Sequence, residues 1–227
     1  MLDPGDVRLS RSLFAQETPV VARALLGRDV VHRLPSGACL RGRIVETEAY
    51  HGQDDTASHA RFGRTGRSAL MFGPPGHAYV YLIYGMYEML NVTANPEDFP
   101  GAVLIRALEP REGLERMRDF RVASRLGKAK AGAEGEAKAK GNANAKAMRD
   151  LDLCRGPARL CQALAIDREL NAVDVTASSA MWIERPTRGA VAPTTISTAR
   201  IGIASAGPQW TPALLRWCVA GSRFVSG

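Results

Sequence analysis

The sequence predicts a single mixed α+β domain, in which a sheet built from hairpins is flanked by helices. The 227 residues are 45% hydrophobic and 23% charged, which is enough apolar material for a buried core. Two pairs of strand-like runs are joined by turn signals, and segments with helical spacing lie before and after them. The length alone fits one large domain or two small ones. We expect one domain over residues 1–227, because motif-like sequence resumes on both sides of the low-complexity stretch.

The first half of the chain predicts one helix and two hairpins. Residues 13–27 are assigned to the helix, since apolar residues recur at helical spacing and a glycine ends the run. Residues 29–34 and 40–50 have strand character and flank a Pro-Ser-Gly turn, which indicates the first hairpin. Residues 78–91 predict the second hairpin.

The rest of the chain predicts a further strand at residues 103–108, ended by Glu109 and Pro110. The remaining predicted elements are helices over residues 111–126 and 156–166 and late strands over 182–184, 199–204 and 216–219. Residues 128–146 contain only Ala, Gly, Lys, Glu and Asn, so apolar burial cannot offset the entropy lost on ordering them. We expect a flexible insertion within the domain, with a basic arm that touches phosphates as the alternative.

Basic side chains outnumber acidic ones. There are 30 Lys and Arg residues against 23 Asp and Glu, a formal net charge of +7, and such a surplus favours polyanions such as nucleic acid or anionic lipid. No run reaches the ~18 apolar residues of a membrane-spanning helix, and the first residues lack the features of a signal peptide. We expect a cytoplasmic, nucleoid-associated protein if the source is bacterial, with the nucleus as the alternative.

The cysteines do not form a metal-binding pattern, because none belongs to a C-x-x-C pair. They are Cys39, Cys154, Cys161 and Cys218. This spacing argues against zinc and predicts free, buried thiols in a reducing compartment.

Two glutamates are predicted to share one face of the strand at residues 40–50. Side chains alternate along a strand, so Glu46, Glu48 and Tyr50 point the same way while Thr47 points to the other face. One interpretation is a solvated face, where water screens the two charges. The other is that one glutamate lies in a pocket and acts as a general base.

All five tyrosines lie between residues 50 and 87. Tyr79 and Tyr81 share a strand face in the second hairpin, and Tyr84 stands beside Gly85 near its tip. Sheet packing explains such clustering, since strands favour aromatic residues. An exposed ring at a rigid tip on a basic protein is instead suited to act as a wedge in a base stack.

Two further residues are candidates for a site. His59 follows a polar run whose acids suggest a metal loop, but their spacing fits no calcium-loop pattern; a solvated histidine is the simpler interpretation. Arg106 lies in an otherwise apolar strand, where a charge needs a partner. It either pairs structurally with an acid or completes a site beside Glu48.

Several segments together resemble the alkyladenine (3-methyladenine) DNA glycosylase family. The matching segments occur in family order and are ARALLG, LRGRIVETEAYHG, GHAYVYLIYGMYEMLNV, VLIRALEP, LCRGPARLCQALAI and ARIGIASAG. The resemblance implies a curved antiparallel sheet or open barrel with flanking helices and a protruding β-hairpin. It also implies hydrolysis of the N-glycosidic bond between a damaged purine and deoxyribose, which leaves an abasic site.

By motif position, the resemblance implies that Glu48 activates the attacking water. Arg106 and the backbone of Ile201, which is part of the base pocket, would help to hold that water. Tyr84 would fill the gap left in the duplex by the extruded nucleotide, and Met86 matches a minor-groove position.

The same resemblance implies how the extruded base is bound. Tyr50 and His59 would stack on one face of the base and Tyr81 on the other. Asn91 would screen out bases with a guanine-type amino group, and Leu104 matches a position in the pocket wall. Aromatic rings favour a cationic alkylated purine over a neutral one, by roughly 0.5–2 kcal/mol per contact.

The reaction implied by the resemblance uses water alone. We therefore expect no metal and no organic cofactor, and the expected partner is double-stranded DNA containing damaged purines, bound by a monomer. No lysine matches a nucleophile position, which argues against a lyase step. Two alternatives stay open at this point: a module that binds distorted nucleic acid without chemistry, and a bifunctional glycosylase–lyase. The sequence does not rank alkylated purines, hypoxanthine and ethenoadenine as substrates.

Overall fold

The computed structural model describes residues 7–125, 148–185, 189 and 191–226. The low-complexity stretch at 128–146 lies outside the described residues. Within them, eight strands form one antiparallel sheet that is not closed, and helices flank it, so the predicted α+β class is confirmed. None of the described helices is long and apolar enough to cross a membrane.

The bounds of the elements follow the chain order. The strands are β1 (Asp29–Arg33), β2 (Cys39–His51), β3 (Ala78–Ile83), β4 (Tyr87–Thr93), β5 (Gly101–Glu112), β6 (Met181–Glu184), β7 (Thr195–Thr198) and β8 (Arg216–Val219). The α-helices are α1 (Arg11–Phe14), α2 (Thr18–Leu25), α3 (Leu114–Arg125), α4 (Pro157–Ala163) and α5 (Gly207–Trp210).

Strand β2 is the centre of the sheet. The strands run in the order β3-β4-β5-β2-β1-β6, and β8 pairs with both β2 and β7. The 13 residues of β2 are long enough to pair with β5 on one edge and with β1 and then β8 on the other. Both predicted hairpins, β1–β2 and β3–β4, are confirmed.

Apolar clusters cover both faces of the sheet. Alternate β5 residues such as Val103 and Ile105 enter the main core, with the apolar sides of α2 and α4. Ala102 instead belongs to a second, smaller cluster with Ala60, Met71, Phe72 and Tyr79. Each large apolar side chain buried in this way contributes about 1.5–3 kcal/mol. The second cluster supports the loop that follows β2.

Several predicted elements differ from the structure. The helix expected over residues 13–27 is interrupted between α1 and α2, and Pro19 lies in the first turn of α2, where proline is tolerated. Strand β5 continues past Pro110, which pairs with Gly42 next to a register shift between β2 and β5. A bulge of this kind tolerates a proline, because the missing N–H is not needed for the pairing there.

The strand expected at residues 199–204 is absent from the described structure. The segment bends away from the sheet, a 3₁₀ turn covers Ala204–Ala206, and the strand lies earlier, at β7. The predicted helices are also shorter than expected, at α3 and α4. The four cysteines are free, and all but Cys39 are buried; burial raises the pKa of Cys154 to about 12.

Candidate active site

A transverse row across four strands supplies one wall of the site. Glu48 of β2 pairs with Leu104 of β5, Leu104 pairs with Asn91 of β4, and Asn91 pairs with Tyr79 of β3. Residues opposite each other in an antiparallel sheet point to the same face. The sheet register therefore brings together residues from segments far apart in sequence. Tyr81, two residues after Tyr79, shares this face.

Glu48 is fully buried and accepts three hydrogen bonds or ionic contacts. The backbone N–H of Ile201 donates to Oε1 at 2.8 Å, and the Tyr50 hydroxyl donates to Oε2 at 2.9 Å. Nη1 of Arg106 lies 3.2 Å from Oε1. An ionised carboxylate offers about four acceptor positions, so these three donors leave about one position for a further donor such as water.

Glu46 is buried as completely and accepts from more donors than Glu48 does. It accepts from Nε of Arg106 at 3.0 Å and from Nε of Arg216 at 2.6 Å. The Ser226 N–H and hydroxyl donate to it at 2.6 and 2.9 Å. Three of these four donors reach Oε1, and the Ser226 N–H reaches Oε2. The interpretation of this strand face as solvated is wrong, because both glutamates are fully buried and arginines neutralise them.

Arg106 is shared between the two carboxylates. Burial opposes its charge, but Glu48 and Glu46 outweigh that effect and raise the pKa of Arg106 above its ordinary value. Arg106 therefore forms a structural ion pair with Glu46 and also contacts Glu48, so both predicted interpretations of this residue apply.

A second buried ion pair fixes the loop that carries Ile201. Nη1 and Nη2 of Arg200 lie 2.5 and 2.9 Å from the carboxylate oxygens of Asp55, and neither side chain is exposed. Nη1 also donates to the carbonyl of Ala49 at 2.9 Å, and the guanidinium stands 4.8 Å from the centre of the Tyr50 ring. Arg200 thus holds the backbone next to Ile201 in place and also packs against Tyr50.

His59 begins a short 3₁₀ helix, and its ring lies among the hairpin tyrosines. Nδ1 is 2.8 Å from the Tyr79 hydroxyl, and the His59 and Tyr81 ring centres are 4.6 Å apart with their planes at 73°. Burial, followed by the charges of Arg67 and Arg61, lowers the pKa of His59 to about 4. Burial raises the pKa of Tyr81 to about 12. Both rings are therefore neutral at pH 7.

Two other predicted positions line the same region. Asn91 is buried, and its amide nitrogen donates to the Tyr79 carbonyl at 3.2 Å, which fixes the side chain. Leu104 is buried between Asn91 and Glu48 in the row. Two cavities, of about 1140 and 560 Å³, lie elsewhere, and neither is lined by Glu48.

The tip of the β3–β4 hairpin stands apart from these residues. Tyr84 is 82% exposed and Met86 is 64% exposed, so packing of Tyr84 on the sheet is wrong. Tyr84 has φ +53° and Gly85 has φ +70°, the left-handed pair that a type I′ turn requires. This conformation is unfavourable for a bulky residue, and it holds the ring away from the sheet.

The structure thus brings Glu48, Tyr50, Arg106 and Ile201 into direct contact. His59 and Tyr81 contact each other, whereas the tip residues remain separate. Sequence reasoning missed the partners of Glu46, the Asp55–Arg200 pair and the bond from Tyr79 to His59, because these pairs are distant in sequence. Among residues 7–125, 148–185, 189 and 191–226, no three His, Cys, Asp or Glu side chains are grouped as metal ligands would be.

The open antiparallel sheet thus places a buried carboxylate and neutral aromatic rings on one face, a combination suited to an enzyme site. Comparison with known families identifies the kind of enzyme. Residues 12–223 match the model of the methylpurine-DNA glycosylase family, and the chain belongs to this family. The protein is therefore a glycosylase, which is a type of hydrolase.

Similar proteins occur in animals and in bacteria. The chain is 43% identical over 220 residues to the human DNA-3-methyladenine glycosylase, covering 96% of this chain and 68% of the human protein. A putative 3-methyladenine DNA glycosylase of Anaeromyxobacter dehalogenans is 42% identical, covering 97% of this chain and 87% of that protein. One from Clostridium perfringens is 37% identical and is covered over 99% of its length. The chain spans only 61% of the mouse relative.

Proposed function

We propose that this protein hydrolyses the N-glycosidic bond of alkylated or deaminated purines in duplex DNA and leaves an abasic site, acting as a single domain. The observation that carries the proposal is the unsaturated, buried carboxylate of Glu48 beside Arg106 and the aromatic rings. The printed names of the human and bacterial relatives refer to 3-methyladenine in DNA, which supports extending this substrate class to the chain.

In the proposed reaction, positive charge develops on the sugar as the base leaves. The ionised Glu48 stabilises this charge and takes a proton from the attacking water through its remaining acceptor position. The Ile201 N–H donates to Glu48 and orients the carboxylate, so the backbone of Ile201 would help to hold the water through its carbonyl. Arg106 contacts the same oxygen, Oε1, through Nη1, and it would also help to hold the water. A cationic alkylated base leaves without protonation, whereas a deaminated base such as hypoxanthine needs a proton donor besides Glu48.

The damaged nucleotide must leave the base stack before this chemistry is possible, at a cost of a few kcal/mol. We infer that Tyr84 enters the duplex and replaces the stacking of the extruded base, with Met86 in the minor groove. The exposure of both side chains at a rigid tip supports this inference.

The extruded base would lie between Tyr50 and His59 on one side and Tyr81 on the other. Arg200 covers one face of the Tyr50 ring, which leaves the opposite face for the base. Since His59 stands edge-on to Tyr81 at 73°, one of these two rings must rotate to accept a flat base. Asn91 would then exclude a guanine-type amino group, with Leu104 in the pocket wall.

The proposed partner is double-stranded DNA, bound by a monomer in a DNA-containing compartment. The net charge of +7 supports phosphate contacts that position the protein without reading sequence. The mechanism requires no metal and no organic cofactor.

Product analysis on an alkylated duplex tests this proposal. We expect free 3-methyladenine or 7-methylguanine and an intact strand with an abasic site, and no covalent adduct after borohydride reduction. Tight binding of the lesion without base release would favour a recognition module. An adduct trapped by borohydride would favour a glycosylase–lyase.

A further inference from the structure

Glu46 has no role in the proposed reaction, yet it is the most heavily hydrogen-bonded acidic side chain beside it. It lies two residues before Glu48 in β2, on the same face, and is fully buried. Burying a second carboxylate next to the Glu48 carboxylate is unfavourable unless cations compensate its charge. Its partners therefore indicate what its charge does.

A bulge in β5 lets one guanidinium reach both glutamates. Glu46 pairs with Ala107 and the next residue, Thr47, pairs with Ile105, so Arg106 is the extra residue with no partner in β2. Its Nε contacts Glu46 at 3.0 Å and its Nη1 contacts Glu48 at 3.2 Å. The guanidinium is thus divided between the two carboxylates.

This division limits how Arg106 contacts Glu48. An arginine free of other partners favours a two-bond, fork-to-fork contact with a carboxylate. Such a contact would use both oxygens of Glu48 and take the acceptor position left for water. With its Nε engaged by Glu46 and its Nη2 donating to the Ser226 hydroxyl at 3.4 Å, Arg106 presents only Nη1 to Glu48.

Glu46 is itself held from the end of the described chain. Arg216 of β8 donates through Nε to Glu46 at 2.6 Å and through Nη2 to the carbonyl of Ser226 at 2.9 Å. Ser226 donates its N–H and its hydroxyl to Glu46. The fixed position of Glu46 therefore depends on β8 and on the segment that follows it.

We propose that Glu46 is a positioning residue that holds Arg106 in single-bond contact with Glu48 and so keeps an acceptor position of Glu48 open for water. Arg216 and Ser226 fix Glu46 for this purpose. The inference rests on the proposed function, because it assigns Glu46 a role through the proposed base.

A double-mutant cycle on single-turnover base release from alkylated DNA tests the inference. Glu46→Gln should slow release by about 10- to 100-fold, as expected for a misplacement of reacting groups, while affinity for the DNA changes by less than about twofold. The double variant Glu46→Gln/Arg106→Gln should be no slower than Arg106→Gln alone, because Glu46 acts through Arg106. Multiplicative losses in the double variant would overturn the inference, since a purely structural glutamate acts independently.

Two further variants keep the test interpretable. Glu184→Gln removes another largely buried strand glutamate that pairs with an arginine, Arg41, but at the far edge of the sheet. This variant should leave base release unchanged. If Glu46→Gln does not fold, Ser226→Ala removes one donor to Glu46 and should slow release by about threefold, again without effect when Arg106 is absent. Full activity of Glu48→Gln would instead refute the proposed function itself.

Discussion

Replacing Arg200 by Met removes one half of an ion pair that is fully hidden from water. The guanidinium makes two contacts with Asp55, at 2.5 and 2.9 Å, and one with the Ala49 carbonyl. Methionine keeps part of the side-chain volume but leaves the Asp55 carboxylate buried and unpaired. Breaking a buried pair in this way costs about 3–5 kcal/mol.

The expected loss is measurable in two ways. For a domain of this size, about 2–4 °C of Tm corresponds to each kcal/mol, so Arg200→Met should lower Tm by roughly 6–20 °C. Since Ile201 follows Arg200 and donates to Glu48, base release in the folded variant should also slow, by at least about 10-fold.

The matched control is Arg111→Met. Arg111 pairs with Glu109 at 3.1 Å, but the two side chains are 37% and 31% exposed, so its loss should be about 0–1 kcal/mol. Thermal melts and single-turnover assays of both variants check the reasoning. A destabilisation by Arg200→Met that is no larger than that of Arg111→Met would refute the argument from burial.

Two further predictions concern the tip and the histidine. Tyr84→Asn places Asn-Gly in the type I′ turn and should relieve about 1 kcal/mol of backbone strain, raising Tm while base release slows; unchanged release would contradict the wedge role of Tyr84. For His59, the unfolded chain takes up a proton near its ordinary pKa of 6.5, whereas the folded protein does so only near 4. The lowered pKa of His59 therefore does not affect stability above pH 6.5 and destabilises the fold as the pH falls from 6.5 to 4. His59→Gln should show a flatter decrease of unfolding free energy over that range. Equal slopes in the two proteins would contradict the lowered pKa of His59.

The sequence predicted local features of this fold well. The hairpins β1–β2 and β3–β4 follow from alternating apolar residues and from turn residues between them, and both signals are short-range. Exposure of Tyr84 at the tip was one of two open interpretations, and the structure decides it because Tyr84 adopts a positive φ next to Gly85.

Long-range pairing was not predictable from a single sequence. The segment at residues 199–204 has strand composition, but in the structure it lies outside the sheet and Arg200 pairs with the distant Asp55. Likewise, Glu46 and Glu48 are equivalent by alternation, and only partners some 60 to 180 residues away show that Glu46 accepts from Arg106, Arg216 and Ser226.

Base release by Glu48→Gln, measured beside the unmodified protein on an alkylated duplex, tests the central claim most directly. Glutamine keeps the shape and accepts from the Ile201 N–H, but it cannot take a proton from water. We expect release by the unmodified protein and a loss of about 10²–10⁴-fold in the variant, with binding of the damaged duplex retained. Release at an undiminished rate by Glu48→Gln would contradict the account.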